Sequence, residues 1–350
     1  MAARAAVPAE VRALVKTELH QHVDGSIPLK TQWQMLVRHG LNPVATFPEM
    51  RRRLELQPDE EGSLLAYLDK FYYPLWITQF YENIQIAAEA IVRDALRHNV
   101  RTLELRYSPL IHTYAGLTVR QAIRAVLSGF NRVVREQPDI RCGLVVIAMR
   151  QHGPHIAKIL ARQAIGEAEH LHDRTGVVGF DIAGPERGNP PHLFREAFAI
   201  ARAGGLGLTV HAGEDAGPEY VWQAIDEVGA GRIGHGCSAV QDRELVRRLA
   251  RDRVLVECCP TSNYQTGAVA RGAPHPILQF LEAGVPVALC TDNPTVSRTD
   301  HDIESARLLP VLGADGLARL AEIHAGAVQH AFIRRPPASG GPAASREQAL

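Results

Sequence analysis

The segment TELHQHVDGS, residues 17–26, sets His20 and His22 two positions apart at the end of an apolar-leading run. On a β-strand, residues two apart share a face and lie about 7 Å from each other along the chain, so two imidazoles there can grip one ion. Further along, His211 ends the run LGLTVH, His235 lies in RIGHG, Asp292 follows VPVALCT, and Glu214 stands three residues beyond His211. A catalytic metal site needs imidazole and carboxylate donors converging from separate strands, and zinc in such a site keeps one position open for water. His20, His22, His211 and Asp292 supply three nitrogens and an oxygen. His235 is placed either to ligate or to orient water beside the ion. Glu214 is placed for proton transfer, because a carboxyl beside an enclosed site can have its pKa raised and act as acid and base in turn. The plainer alternative for it is a first-turn helix glutamate stabilised by the helix dipole.

Such a constellation needs strands whose ends meet. Eight short apolar runs of strand length alternate with stretches of helical period: 17–22, 102–107, 142–149, 177–182, 206–211, 232–236, 254–258 and 285–291. Between them, residues 82–99 carry Ile84, Ala88, Ile91, Val92 and Ala95 on one helical stripe, and 119–136 carry Val119, Ile123, Val126, Phe130 and Val133. Further helical segments fit 156–172, 192–203, 218–228, 242–251 and 276–283. Strands alternating with helices imply βαβ units and a parallel sheet, and eight alternations imply an α/β fold, a (β/α)8 TIM barrel, with its active site at the C-terminal ends of the strands. The first connection, 23–80, is too long for a plain link and contains the amphipathic EGSLLAYLDKFYYPLW; it is expected to form a helical lid over the mouth.

The 350 residues are read as one barrel domain over 1–334, followed by a Pro-, Gly- and Ala-rich tail, 335–350, expected to be disordered. Thirty-eight basic side chains balance thirty-eight acidic ones, which leaves no electrostatic footprint for nucleic acid or an anionic membrane. The expected partner is a small molecule, with the oligomeric state left open. Five cysteines without a C-x-x-C pair fit reduced thiols in a cytoplasmic protein. The N-terminus lacks the apolar core of a signal peptide, and no apolar run approaches the roughly 18 residues of a membrane span.

In order and spacing, TELHQHVDGS, ELRYSP (104–109), HAGE (211–214), RIGHG (232–236), CPTSNYQTG (259–267) and CTDNP (290–294) resemble the strand-end motifs of the adenosine deaminases within the metal-dependent amidohydrolase superfamily, over about residues 16–300. The resemblance implies one Zn2+ per chain held by His20, His22, His211 and Asp292. It implies that Asp24 meets a ribose hydroxyl, that the backbone N–H of Gly184 meets the purine, and that Tyr67 and Phe71 gate the substrate. As plain structure, Gly184 would be a turn and the two aromatics core. The implied reaction is hydrolytic deamination: water activated by the metal and oriented by Asp292 and His235 attacks C6 while Glu214 protonates N1. The cytidine-deaminase signature H-x-E with P-C-x-x-C is absent.

The chain departs from the family at Asn293, where the usual residue is Asp facing purine N7, and in TVSRTDHDIESARLL, residues 295–309. An asparagine amide donates a hydrogen bond without a shifted pKa, so purine binding is expected to survive with altered preference. Adenosine, and with it 2′-deoxyadenosine, is the leading substrate; aminodeoxyfutalosine, adenine or N6-methyl-AMP are alternatives. Two further readings are hydrolysis of another bond, such as an amide or phosphoester, and a non-catalytic purine-binding relative.

Overall fold

The computed structural model describes residues 7–168 and 174–333. Eight strands, β1 (Lys16–His22), β2 (Val100–Tyr107), β3 (Arg141–Met149), β4 (Thr175–Ala183), β5 (Gly207–Ala212), β6 (Arg232–His235), β7 (Leu255–Cys258) and β8 (Val287–Leu289), pair in sequence order. Every neighbouring pair is parallel. The sheet returns on itself where the His22 N–H donates to the Asp292 carbonyl at 2.8 Å and the Asp292 N–H to the His20 carbonyl at 2.9 Å. The closure therefore draws Asp292 and both β1 histidines together through backbone alone.

Each expected strand is present; β8 starts later than its apolar run, after Pro286, which lacks a donor N–H. The ladder nevertheless continues past Leu289, with the Cys290 N–H on the Cys258 carbonyl at 2.8 Å. The helix Val119–Glu136 begins at Thr118, whose hydroxyl accepts the Gln121 N–H at 3.1 Å in a capping box, and it buries Ile123, Val126, Phe130 and Val133. Its neighbour Tyr81–Arg97 buries Ile84, Ala88, Ile91 and Val92, the isoleucines and the valine contributing about 1.5–3 kcal/mol each. The two helices touch at Gly129, where an added Cβ would lie 2.5 Å from the Gln85 carbonyl oxygen. The segment expected over 156–172 is helical as far as Ala168, in the helix Gly153–Ala168, with 169–172 outside the described residues, and 192–203 resolves into a 3-10 turn, Pro191–Phe194, leading into the helix Arg195–Ala203.

The first connection folds into short helices: Leu29–Arg38, Phe47–Leu54, Leu64–Asp69 and Tyr72–Ile77. The stretch 61–76 is thus two helices, not one. It leans on the loops after β7 and β8, through Gly62 N–H to the Gln265 carbonyl (2.7 Å) and Leu56 N–H to the Val296 carbonyl (2.9 Å). At the opposite end of the barrel the last described residues form a plug. Ala327, Ala331 and Ile333 join Leu19, Val145, Val178 and Leu255 in the inner core. The Phe332 ring lies over Gly179 and Gly207, where a Cβ at Gly207 would come 2.2 Å from the ring. The stretch 335–350, expected to be a tail, lies outside the described residues.

Candidate metal centre

The C-terminal ends of β1, β5, β6 and the β8 extension bring His20, His22, His211, His235 and Asp292 together. His22 Nε2 lies 3.2 Å from His211 Nε2 and 3.3 Å from Asp292 Oδ1, and His20 Nε2 lies 3.6 Å from the same Asp292 oxygen. The His235 ring centroid is 4.7 Å from that of His20 and 5.2 Å from that of His211. His235 and Asp292 both adopt positive φ, 65° and 59°, sparsely populated backbone for such residues and common at functional sites. Gly234 leaves room for the His20 ring: a Cβ there would lie 2.9 Å from His20 Cε1.

What holds the rings is a second set of side chains. His20 Nδ1 is 2.8 Å from Glu257 Oε2 on β7, and His211 Nδ1 is 2.9 Å from Asp181 Oδ2 on β4. Arg106 on β2 bridges the two carboxylates, 2.8 Å to Asp181 and 2.7 Å to Glu257, with a third bond to the Leu19 carbonyl. The hydrogen-bonded Glu257 carboxylate fixes the His20 proton on Nδ1 and turns its Nε2 lone pair toward the centre, and the Asp181 charge beside His211 Nδ1 favours the same tautomer there. Burial, followed by the neighbouring imidazoles and Arg106, keeps His20, His22 and His211 well below the ordinary histidine range and so neutral. Sequence reading missed Glu257, Asp181 and Arg106 as site residues. The available signal was an ionisable residue inside an apolar strand, rarely buried without a partner.

A metal ion fits this arrangement. His20 Nε2 is buried and has no hydrogen-bond partner, a costly state unless a ligand occupies it. Donor separations of 3.2–3.6 Å compare with roughly 3.3 Å between neighbouring ligands of a tetrahedral ion bound at roughly 2.0–2.1 Å. Two overlapping triplets are available, His20 with His22 and Asp292, and His20 with His211 and His235.

Glu214 stands at the rim of this cluster, 3.5 Å from His235 Nε2, with the Thr266 hydroxyl on its Oε1 at 3.2 Å. Burial, then the Glu186 and Asp215 charges, push its pKa up to about 8, so the carboxyl carries a proton at neutral pH. Glu186 is held in place by the N–H groups of Gly213 and Glu214, both at 2.9 Å. A cavity of about 320 Å3, lined in part by Glu214, Asp215, Ser238 and Thr266, opens beside it. Asp292 accepts from the Ser262 hydroxyl (2.5 Å) and the Asn293 amide (2.8 Å).

The remaining sequence candidates surround the mouth. Asp24 follows β1 and is half-buried, and burial raises its pKa to about 6. Asn293 packs against the Gly25 backbone, where any Cβ would collide with it. It spends one N–H on Asp292, while its buried oxygen has no partner. Tyr67 is buried with its hydroxyl 2.8 Å from Ser297 Oγ, and Phe71 packs with it, Leu56 and Val296. Those two aromatics are therefore pressed onto the β8 loop. Gly184 follows β4 directly at φ 95°, a conformation that favours glycine.

The sequence model of the family described as adenosine deaminase matches residues 15–339. An adenosine deaminase of Enterococcus faecalis is 37% identical over 301 residues, covering 85% of this chain and 86% of its own length. One of Shewanella loihica is 33% identical over 318 residues, covering 90% and 93%. Among solved structures, the adenine deaminase of Arthrobacter aurescens superposes with a TM-score of 0.82 at 25% identity, covering 91% of this chain and 94% of its own. The N6-methyl-AMP deaminase of Arabidopsis thaliana gives 0.79 at 25% identity, covering 92% and 93%.

Proposed function

This chain belongs to the adenosine deaminase family and is a purine deaminase, a hydrolase of the (β/α)8 class; from that premise we propose that its substrate is adenosine, with 2′-deoxyadenosine alongside, converted to the 6-oxo nucleoside and ammonia. In this reading His20, His22, His211 and Asp292 hold one Zn2+ per chain. When bound, such an ion lowers the pKa of water so that hydroxide is available at neutral pH. Three neutral nitrogens and one carboxylate form the donor set expected of zinc, though other first-row ions accept the same atoms.

The chain's own groups do the rest. Glu214, protonated at neutral pH, donates to purine N1, which lets C6 accept the electron pair of the attacking water. Asp292 lies against the attacking water and orients it. As the C6–N bond breaks, the amine leaves as ammonia with a proton from the site. Asp24 meets the ribose, the Gly184 N–H and Asn293 meet the base, and Tyr67 and Phe71 close over it. The observation that carries the reading is the Glu214 carboxyl 3.5 Å from His235 Nε2, beside imidazole nitrogens that converge to 3.2 Å. A half-buried Asp24 favours a sugar hydroxyl and opposes a 5′-phosphate by charge repulsion. A second reading, deamination of free adenine, is favoured by the unpartnered oxygen of Asn293, an acceptor that the N7–H tautomer of the free base can donate to and a nucleoside, whose N7 only accepts, cannot.

A single domain over 1–334 and a cytoplasmic location complete the proposal. The five cysteines are buried and unpaired, and no helix among the described residues is long and apolar enough to cross a membrane. The test is loss of adenosine absorbance with zinc-loaded protein, with 2′-deoxyadenosine, adenine, N6-methyl-AMP and aminodeoxyfutalosine run in parallel. Turnover of adenosine that vanishes in Glu214→Gln is expected. Turnover of another purine alone would overturn the substrate, and turnover of none with zinc bound would overturn the reaction.

A further inference from the structure

At the centre, His235 is backed differently from His20 and His211, which face carboxylates. His235 Nδ1 lies 3.0 Å from Asn263 Nδ2; Asn263 Oδ1 lies 3.1 Å from His275 Nε2; and the backbone N–H of Ile277 donates to His275 Nδ1 at 3.1 Å. All three side chains are buried. The direction of this chain of bonds is fixed at its far end, because a backbone N–H can only donate. His275 Nδ1 must therefore accept, which excludes an imidazolium and puts the single proton on Nε2. That N–H needs an acceptor, so the atom of Asn263 facing it is the carbonyl oxygen, and the amide nitrogen faces His235. His235 Nδ1 then accepts, and its proton sits on Nε2, the atom aimed at Glu214 and the centre.

We propose that Asn263 and His275 are positioning residues that lock His235 in the Nε2–H tautomer, making it a hydrogen-bond donor to the attacking oxygen and neither a metal ligand nor a base. The inference rests on the deaminase reading for its role and on geometry alone for its tautomer. Burial agrees, pushing the His275 pKa down to about 3. The lock also decides between the two candidate metal triplets. A nitrogen carrying a proton has no lone pair to give, so His20, His22, His211 and Asp292 remain and His235 is left out. The proton released by the attacking water then goes to Asp292, whose Oδ atoms already accept from Ser262 and Asn293.

Asn263→Asp is the nearly isosteric test. A carboxylate accepts at both oxygens, so it keeps the bond from His275 Nε2–H but forces a proton onto His235 Nδ1. With 15N-labelled histidine, and His235→Gln used to assign His235 among the 16 histidines, His235 should show an unprotonated Nδ1 and a protonated Nε2 in the parent protein. A protonated Nδ1 is expected in Asn263→Asp. Metal content and far-ultraviolet circular dichroism should match the parent, while kcat falls by about 10²–10³-fold with KM near its parent value, the scale of losing one oriented donor. His275→Phe should give mixed tautomers, because the Asn263 amide is then free to turn, and His275→Gln, which can present an N–H to Asn263, should restore the parent pattern. An Nδ1–H signal in the parent, or an unchanged tautomer in both Asn263→Asp and His275→Phe, would overturn the lock. Loss of bound metal in His235→Gln would overturn its exclusion as a ligand. Since the nitrogen signals need no substrate, they decide the tautomer even if adenosine proves to be the wrong substrate.

Discussion

Both ends of the barrel bury ionisable groups, but only one end leaves them uncompensated. At the closed end Arg232 is hydrogen-bonded to Glu104 (2.6 Å) and ion-paired with Glu257 (2.7 Å), and its guanidinium lies 3.6 Å from the centroid of the Phe332 ring. The Ile333 N–H donates to Glu104 at 2.8 Å. Each of these charges has an opposite partner, as burial requires. At the open end His20 Nε2 has no partner, the Glu214 carboxyl faces other carboxylates, and Asp292 is surrounded by neutral donors. Compensated burial holds a barrel together; uncompensated burial shifts protons and leaves lone pairs for a ligand. Glu257 joins the two regimes, with Oε2 on His20 and Arg106 and Oε1 on Thr209 and Arg232.

Breaking the open end should cost activity without stability. Glu214→Gln should lower kcat by about 10²–10⁴-fold, the scale of general acid–base catalysis. The raised pKa means that the native state binds a proton the unfolded state releases, so Glu214 weakens the fold increasingly as pH rises from the ordinary carboxylate range through about 8. The melting temperature of the variant at neutral pH should therefore equal or exceed that of the parent; a large decrease would show that the carboxyl stabilises the fold. Arg106→Met breaks the link between the regimes by leaving Asp181 and Glu257 without their cation. It should cost about 3–5 kcal/mol in denaturant unfolding and weaken metal binding by about 10–100-fold, and a change in only one of the two would separate the regimes.

Phe332→Ala attacks the closed end alone. Its expected cost is roughly 3 kcal/mol, the low end for phenylalanine truncation because the ring is only partly buried, with kcat unchanged at a temperature where the variant stays folded. The pH profile sharpens the contrast further: activity should fall about tenfold per pH unit above about 8 as Glu214 loses its proton, with no matching loss of helical circular dichroism. Asn293→Asp should have the smallest effect. It changes the ratio of rates between adenosine and adenine more than the rate on either one, and equal changes for both would remove Asn293 from substrate selection.

The open end was the legible end. Strand lengths, helical stripes and residues 20, 22, 211, 214, 235 and 292 could be read because strand periodicity and short-range spacing place a side chain on a face before any tertiary contact forms. Asp181, Glu257 and Arg106 were hidden, since their partners lie on other strands 30 to 237 residues away in sequence. The plug at Phe332 was hidden for the same reason, and the lid's division into short helices depended on what it packs against. Asn263 and His275 stood inside or beside a recognised motif, but their direction of donation follows from the Ile277 backbone N–H, which no spacing reveals.

Residue type and period by themselves determined the eight-fold alternation and which chemistry could gather at the strand ends. Which proton sits on which nitrogen, which carboxyl stays neutral and which charge is cancelled were decided only in three dimensions. Those states depend on burial and on distances of a few ångströms between groups that the chain order keeps far apart.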